Sequence, residues 1–561
     1  MSVLSVVIVA CGGSVPGPAP PDASGARWFT DVTESWGLGS PAPPVPGRYR
    51  VPEVTAAGLA VFDADGDGDL DLWQRRVPHP DAPDDPAPDV LWRQTAPGRF
   101  ERWPDRGMED PGYAQAAALG DPDGDGDLDL YAGNLGRDRY YENLGGGRFV
   151  DATERVGLGD DGWSSAAAFC DLDADGDQDL WVVRYLDYDP DRQCLADAGG
   201  EDYCGPAQFR GAADRFYENV EGRFVSRGGP LDLERPDVAR GAKGLGVVCT
   251  DLTGDGRPDV YVANDGEPNH LWVRSPSDDV YGAGGRWREV AMGQGVAVNR
   301  HGSPESSMGI ALADLEPDGR FDLFLTHLSG QNNTRYRFGG MAWDDATALA
   351  GWSADDWPRT GFGCALADFD ADGDDDLAVA NGRVFRDPAG APAGSDPFWG
   401  AYAEPDLLFE NVDGGRFVTR EGSALAGTRE LSRGMIAADL DADGDLDLAV
   451  SNHDGSLRVY RNDRVEGASP WILRLRDAGV PALGATVETR GPGGVRLDAV
   501  LATRSYASAG PPDVVVYGIG GSRPTQATVT WTDGAKETYE LGDPGPVVLR
   551  RGEGMLEAPG P

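Results

Sequence analysis

Histidine is scarce in this chain, with five among 561 residues. His79, His270, His301, His327 and His453 do not stand in any Ser/His/Asp or Cys/His order that would suggest nucleophilic catalysis. Cysteine is almost as rare, and none of the six has the C-x-x-C spacing of a zinc or redox site. Basic residues are outnumbered, 49 Lys and Arg against 94 Asp and Glu, for a net charge of −45. That balance argues against nucleic acid and anionic membrane surfaces as partners. The apolar run at residues 3–10 is too short to span a bilayer. No long helical period is visible apart from a short stretch near 341–350.

What is present is turn chemistry and acid. Gly (80) and Pro (42) accompany 40% apolar residues, the composition of a turn-rich all-β protein rather than a disordered one. A chain of this length exceeds one ordinary core, a limit that repeat folds escape. One nine-residue loop, D-x-D-x-D-G-x-x-D, occurs seven times, each time before a short apolar run. Its first position is Asp63, Asp121, Asp171, Asp251, Asp314, Asp368 and Asp439. The third is Asp65, Asp123, Asp173, Thr253, Glu316, Asp370 and Asp441, and the fifth Asp67, Asp125, Asp175, Asp255, Asp318, Asp372 and Asp443. The ninth is Asp71, Asp129, Asp179, Asp259, Asp322, Asp376 and Asp447. Of these 28 positions, 27 are carboxylates, an oxygen-rich set suited to a hard divalent cation. Position 6 is always Gly, which permits the turn that brings the carbonyl of position 7 to the ion. Position 7 is Asp69, Asp127, Asp177, Arg257, Arg320, Asp374 and Asp445. Ca²⁺ in up to seven sites is expected, with Mg²⁺ or Mn²⁺ as alternatives. Thr253 removes a charge and Glu316 lengthens a ligand, so the fourth and fifth loops should bind weakest.

Two other readings compete with a cation loop. A solvated acidic turn explains one such loop, but poorly explains seven in register. An EF-hand needs a bidentate Glu at position 12, where this chain has Gln74, Ala132, Val182, Val262, Leu325, Val379 and Val450. The flanks, such as LDLY, PDVYVA and LDLAVS, read as buried strands. Four clustered carboxylates repel one another without a cation, so each loop is first a stability device. Free Ca²⁺ at ten times Kd would add roughly 1.4 kcal/mol per site.

Successive loops start 50 to 80 residues apart, room for four strands. Between them recurs an apolar strand ending in Glu-Asn, then Gly, then a Phe-bearing strand, as in YYENLGGGRFVDAT (140–153), RFYENVEGRFV (215–225) and LLFENVDGGRFV (407–418). This reads as an outer hairpin. WFTDVTESWGLG (28–39) has no loop before it, and LRVYRN (457–462) has no Phe-bearing strand after it, so the two ends could pair and close a ring. From 466 onward the loops stop and alternating strands begin, which suggests a separate small β domain, sandwich- or barrel-like.

The loops and flanking strands resemble the FG-GAP/VCBS repeats of integrin-α-type propellers. The whole order resembles the cartilage acidic protein family with its C-terminal ASPIC/UnbV domain, through FTDVTESWGL (29–38), DYCGP (202–206) and LGATVET, SYASAG, YGIG and VTWTDG within 483–534. Family members usually show Pro where Thr532 stands. The resemblance implies a seven-bladed, cation-binding β-propeller at 28–465, an ASPIC/UnbV-like β domain at 466–561, and an extracellular or surface location. It implies little about chemistry.

Ile8-Val9-Ala10-Cys11 resembles a bacterial lipobox, although the basic segment of an export signal is missing. On that reading 1–11 is a signal segment with Cys11 as the lipid site, and the Pro/Gly-rich 12–27 is a tether. The expected location is then the outer membrane, cell surface or periplasm, with the membrane met only through the anchor. In an exported protein Cys194 and Cys204 are expected to form a disulfide, and Cys170, Cys249 and Cys364 to be buried small hydrophobes. Five residues beyond each closing Asp the strand turns polar: Arg76, Asn134, Arg184, Asn264, His327, Asn381 and Asn452. They either end strands or form a ligand-binding rim around one channel mouth.

The function expected is a monomeric, non-enzymatic, calcium-binding surface propeller that presents loops to a protein or glycan, the insertion at 187–214 being its most individual loop. A carbohydrate-active enzyme on a propeller and an assembly factor acting through its C-terminal domain are the alternatives.

Overall fold

The computed structural model describes residues 28–39, 47–77, 88–195, 200–227, 242–274, 287–388, 390–391, 394–465 and 467–556. Cys11, His79 and the segments 1–11 and 12–27 lie outside the described residues. The protein is all-β. Among the described residues its helices are single turns, and the stretch near 341–350 is a strand, Trp343–Asp345, followed by one such turn, Thr347–Ala350.

Strand pairing gives seven four-stranded antiparallel units among the described residues. The first runs Leu59–Phe62, Asp71–Gln74, Val90–Ala96 and Arg99–Arg102. In each unit the acidic loop joins the first strand to the second. The seven first strands are Leu59–Phe62, Tyr113–Gly120, Asp161–Cys170, Gly244–Thr250, Ile310–Ala313, Gly361–Ala367 and Ser432–Ala438. Each touches the next, and the seventh touches the first, so they form the inner wall of a closed ring. This is a β-propeller. The outer strand of the seventh unit comes from the other end of the ring: Phe29–Asp31 pairs with Leu457–Asn462, Phe29 opposite Asn462. That exchange removes the open edge a linear sheet array would leave.

Crowding at the wall explains its small residues. A side chain on Gly309 would stand 2.0 Å from the Phe362 carbonyl oxygen, and one on Gly246 would stand 2.4 Å from that of Met308. Between the sheets the core is aromatic and aliphatic, with Trp73, Trp181, Trp287 and Trp352 fully buried.

The C-terminal region forms its own sheets and packs closely on the propeller. Its strands form one sheet from Gly494–Ala499, Thr486–Gly491, Gln526–Thr530, Lys536–Glu540 and Met555–Leu556, and a second around Trp471–Asp477. Trp471, Leu473, Val487 and Val529 share one buried cluster with Leu119, Leu130 and Phe169 of the propeller. From this domain a hairpin, Thr503–Arg504 and Ser508–Ala509, enters the central channel. Ser508 and Ala509 pair in parallel with Leu59 and Ala60 on the wall. The Thr503 hydroxyl donates to the Ala167 carbonyl at 2.7 Å, Ser505 Oγ accepts from the Cys364 amide, and the Tyr506 hydroxyl donates to the Thr55 carbonyl at 2.8 Å. Ring-closed apolar walls leave a lumen that must be filled by side chains, and here another part of the chain fills it.

Candidate functional site

Each acidic loop is shaped by its own first carboxylate. Asp63 Oδ1 accepts from the Gly66 amide at 2.8 Å and Oδ2 from the Gly68 amide at 2.9 Å; Asp251 does the same with Gly254 and Gly256. The sixth-position glycines all hold positive φ, from +78° at Gly319 to +100° at Gly126, a region open to Gly at little cost. The closing Asp works on both sides: Oδ2 of Asp71, Asp179, Asp259, Asp322, Asp376 and Asp447 accepts the amide of the loop's second residue. Asp71, Asp129, Asp179, Asp376 and Asp447 each accept the main-chain N–H of a residue at the end of the third strand: Gln94, Asn143, Asn219, Asn411 and Asn462. The side chains of three of these asparagines reach the preceding unit: Asn143 donates to Ala64, Asn219 to Pro122 and Asn462 to Phe369, all to carbonyls in the neighbouring acidic loop. The recurrent Glu-Asn of the sequence is thus a staple between successive units, a role that spacing alone did not disclose.

Five loops gather three carboxylates whose ligand atoms lie within 4.8 Å of one another. They are Asp63/Asp65/Asp71, Asp121/Asp123/Asp125, Asp171/Asp173/Asp175, Asp368/Asp370/Asp376 and Asp439/Asp441/Asp447. Buried oxygens in these loops lack any hydrogen-bond partner: Oδ1 of Asp171, Asp370, Asp439 and Asp441, Oδ2 of Asp173, Oδ1 of Asp177 and both of Asp445. An unpartnered buried carboxylate oxygen costs several kcal/mol unless a cation meets it, so the donor set fits a hard divalent ion. Asp177 and Asp445 occupy the seventh position, where only a carbonyl ligand was anticipated. Burial first, and then the neighbouring carboxylates, pushes these groups up: Asp173 and Asp177 to about 7, Asp445 to about 8. Asp71 rises to about 7 and Asp368 to about 8, again chiefly by burial.

Loops four and five are not among the gathered clusters of the described residues. In loop five Arg335 takes the central place. Its Nη2 lies 2.8 Å from Glu316 Oε1 and its Nε 2.9 Å from Asp322 Oδ1, while Arg337 Nε lies 3.1 Å from Glu316 Oε2. The fourth position also differs in loop five. Gly66, Gly124, Gly254, Ala174, Ala371 and Ala442 hold positive φ there, but loop five has Pro317, whose ring fixes φ near −65°. In loop one Arg93 leans on the site from outside, 2.7 Å from Asp65 Oδ2 and 2.9 Å from Asp67 Oδ2.

The polar positions expected to ring a channel mouth do not form an open rim. Asn134, Arg184, Asn264, His327, Asn381 and Asn452 are buried and Arg76 is half-buried. Their main-chain N–H groups donate to side chains that open the third strand: Arg76 to Asp89, Asn134 to Asp138, Arg184 to Asp214, Asn264 to Asn269, His327 to Asn333 and Asn381 to Asp406. Asn452 donates to the Ser456 carbonyl. These residues end strands, and their amides must be satisfied where the ladder stops.

Cys194 and Cys204 are joined by a disulfide that closes the 187–214 insertion. Cys170 and Cys249 are also joined, linking the inner strands of the third and fourth units, so they are not free buried hydrophobes; their strands are neighbours in the ring, although 79 residues separate them in sequence. Cys364 is free and buried. Two disulfides fit an oxidising compartment. Among the described residues no helix is long and apolar enough to cross a membrane, which leaves strands out of account.

Two family models match the chain: an FG-GAP-like repeat over 121–182, which contains loops two and three, and ASPIC and UnbV over 477–545. Mouse cartilage acidic protein 1 is 29% identical over 277 residues, 47% of this chain and 38% of that protein. The human protein of that name is 25% identical over 246 residues, 43% of this chain and 34% of its own length. These matches bear out the resemblance to the cartilage acidic protein family and its ASPIC/UnbV domain. The chain spans little more than a third of the length of those relatives. Among solved structures, a lectin from Agrocybe aegerita described as recognising non-reducing terminal N-acetylglucosamine aligns with 14% identity and a TM-score of 0.39, over 73% of this chain and 95% of that one. The six-bladed fucose-recognising lectin of Aleuria aurantia aligns with 11% identity and a TM-score of 0.32, over 66% and 96%. Likenesses this distant carry nothing about a ligand. Thr532 donates its hydroxyl to Asp171 Oδ2 at 2.6 Å, joining the segment matched by the ASPIC and UnbV model to loop three.

Proposed function

We propose that this protein is a cation-clamped recognition propeller of the cell exterior, without enzymatic activity of its own. The observation that supports the clamp is the convergence of buried, unpartnered carboxylate oxygens in these loops. Asp63, Asp121, Asp171, Asp368 and Asp439 would supply the first ligand of each site. A bound ion would offset the repulsion among the carboxylates and fix the loop between the first two strands. Ca²⁺ suits these all-oxygen sets best.

The loop face is covered by the C-terminal domain, so recognition falls to the opposite face. There the insertion and its neighbours carry exposed apolar side chains: Leu195 beside the disulfide, Phe385 packed near Gly205, and Trp357, which is 51% exposed. Isolated exposed apolar residues are ordinary, but three on loops of one face suit a protein or glycan surface. His270, His327 and His453 are buried and held neutral, at about 4, 3 and 4, which favours a binding role over acid–base chemistry.

The test is a glycan array and an extracellular-protein array probed with the Ca²⁺-loaded chain and with a Trp357→Ala/Phe385→Ala variant. Binding by the parent and at least tenfold weaker binding by the variant, at equal metal content, supports the reading. A folded, loaded chain retained on neither array contradicts it.

A further inference from the structure

The C-terminal domain sits on the loops through features that a bound cation would fix. In loop seven the Tyr517 hydroxyl donates to the Gly444 carbonyl at 2.9 Å, and a side chain on Gly444 would stand 2.1 Å from the Ala468 carbonyl oxygen. In loop six a side chain on Gly373 would stand 3.2 Å from the Gly521 nitrogen, and Arg496 Nη1 lies 3.0 Å from Asp375 Oδ1. Gly373 and Gly444 are the sixth-position glycines, at φ +99° and +98°, on which ligation depends. The same two residues therefore shape the ion site and seat the domain.

Packing on this side is incomplete. A cavity of about 420 Å³ separates the inner strands of units four to seven from the stem of the channel hairpin, lined among others by Leu312, Ala365, Asp439, Arg496, Arg504 and Asp513. Apolar contact on this side is lighter than at units two and three: Leu497, Ala499 and Leu501 meet units four and five, and Val515 and Tyr517 meet units six and seven. Polar seats on loops six and seven add to it. Within loop seven Asp445 is 2% exposed, and neither of its oxygens has a partner. It lies close enough to Asp439, Asp441 and Asp443 for their charges to act on it, so removing an ion would leave the loop that carries the seat under mutual repulsion.

We infer that cations in loops six and seven fasten the C-terminal domain to the propeller and hold the 503–509 hairpin in the central channel, so that stripping them frees the hairpin. This rests on the cation-clamp reading. The central channel is then a space the protein itself occupies while loaded and opens when the ions leave. The device is a latch built from loop geometry, since the hairpin touches none of the ion ligands in its wall contacts with Leu59, Thr55, Ala167 and Cys364.

The test is hydrogen exchange on the full chain, with Ca²⁺ and after chelation, with metal content measured on the same samples. Amides of 502–510 should exchange at least tenfold faster after chelation, while those of 471–477, in the C-terminal core, stay protected. Asp445→Asn should give the same acceleration in saturating Ca²⁺. Tyr517→Phe should give a smaller one with its full metal complement. Loss of metal with unchanged exchange at 502–510 overturns the latch alone. Joint loss of protection at 502–510 and 471–477 also overturns it, since that is unfolding rather than release. A chain that carries no cation overturns the clamp and the latch together.

Discussion

Nε of Arg335 stands 2.9 Å from Oδ1 of Asp322, the residue that closes loop five, and both side chains are almost wholly buried. A guanidinium from the third strand thus neutralises a loop whose neighbours present bare carboxylates. Removing one member of a buried ion pair costs about 3–5 kcal/mol. Arg335→Met should lower the melting temperature accordingly without changing the number of bound ions, because Arg337 still pairs with Glu316. A gain of one ion in the single variant, by calorimetric titration, would contradict this assignment.

The Cys170–Cys249 disulfide closes a segment, 79 residues in sequence separation, that contains the second to fourth strands of the third unit. Loop entropy puts its contribution at roughly 4 kcal/mol. The Cys170→Ala/Cys249→Ala variant should melt well below the parent at equal Ca²⁺. The Cys194→Ser/Cys204→Ser variant should melt close to the parent, and differ mainly in faster proteolysis within 187–214.

The loop carboxyls give stability a definite pH sign in the metal-free protein. Asp71 at about 7, and Asp129 and Asp368 at about 8, lie above their ordinary 3.8 because burial opposes their charge. The folded state therefore holds more protons than the unfolded state between pH 4 and 8. The stability these groups contribute is intact near pH 4 and is lost as pH rises towards 8. Chelated protein should melt lower at pH 8 than at pH 5.5. In excess Ca²⁺ the trend should flatten or reverse, because the ion binds the charged form.

Gly309→Ala places a methyl group 2.0 Å from a main-chain oxygen of the next inner strand. The backbone must shift, at about 1–3 kcal/mol. Urea unfolding should show that loss with metal content unchanged.

The loops, their sixth-position glycines and the strand that closes the ring were legible because each repeats a local chemical pattern. Loop five was half legible: Glu316 drew attention, while Arg335, which occupies the place between Glu316 and Asp322, stands in the third strand outside the motif. The polar residues after each second strand kept two readings open in the sequence because their partners, Asp89, Asp138, Asp214 and Asp406, open the following strand rather than belong to the loop motif. Cys170 and Cys249 could be paired only once the order of units around the ring was known. The docking of the C-terminal domain follows no period at all. It depends on single contacts such as Thr532 to Asp171 and Tyr517 to Gly444, separated by 361 and 73 residues in sequence.

The most direct test of the central claim is metal analysis of the purified chain joined to melting curves with and without chelator. Five gathered loops predict about five divalent ions per chain, mostly Ca²⁺, and a large fall in melting temperature when they are removed. A chain with no bound ion that melts at one temperature in Ca²⁺ and in EDTA would contradict the account.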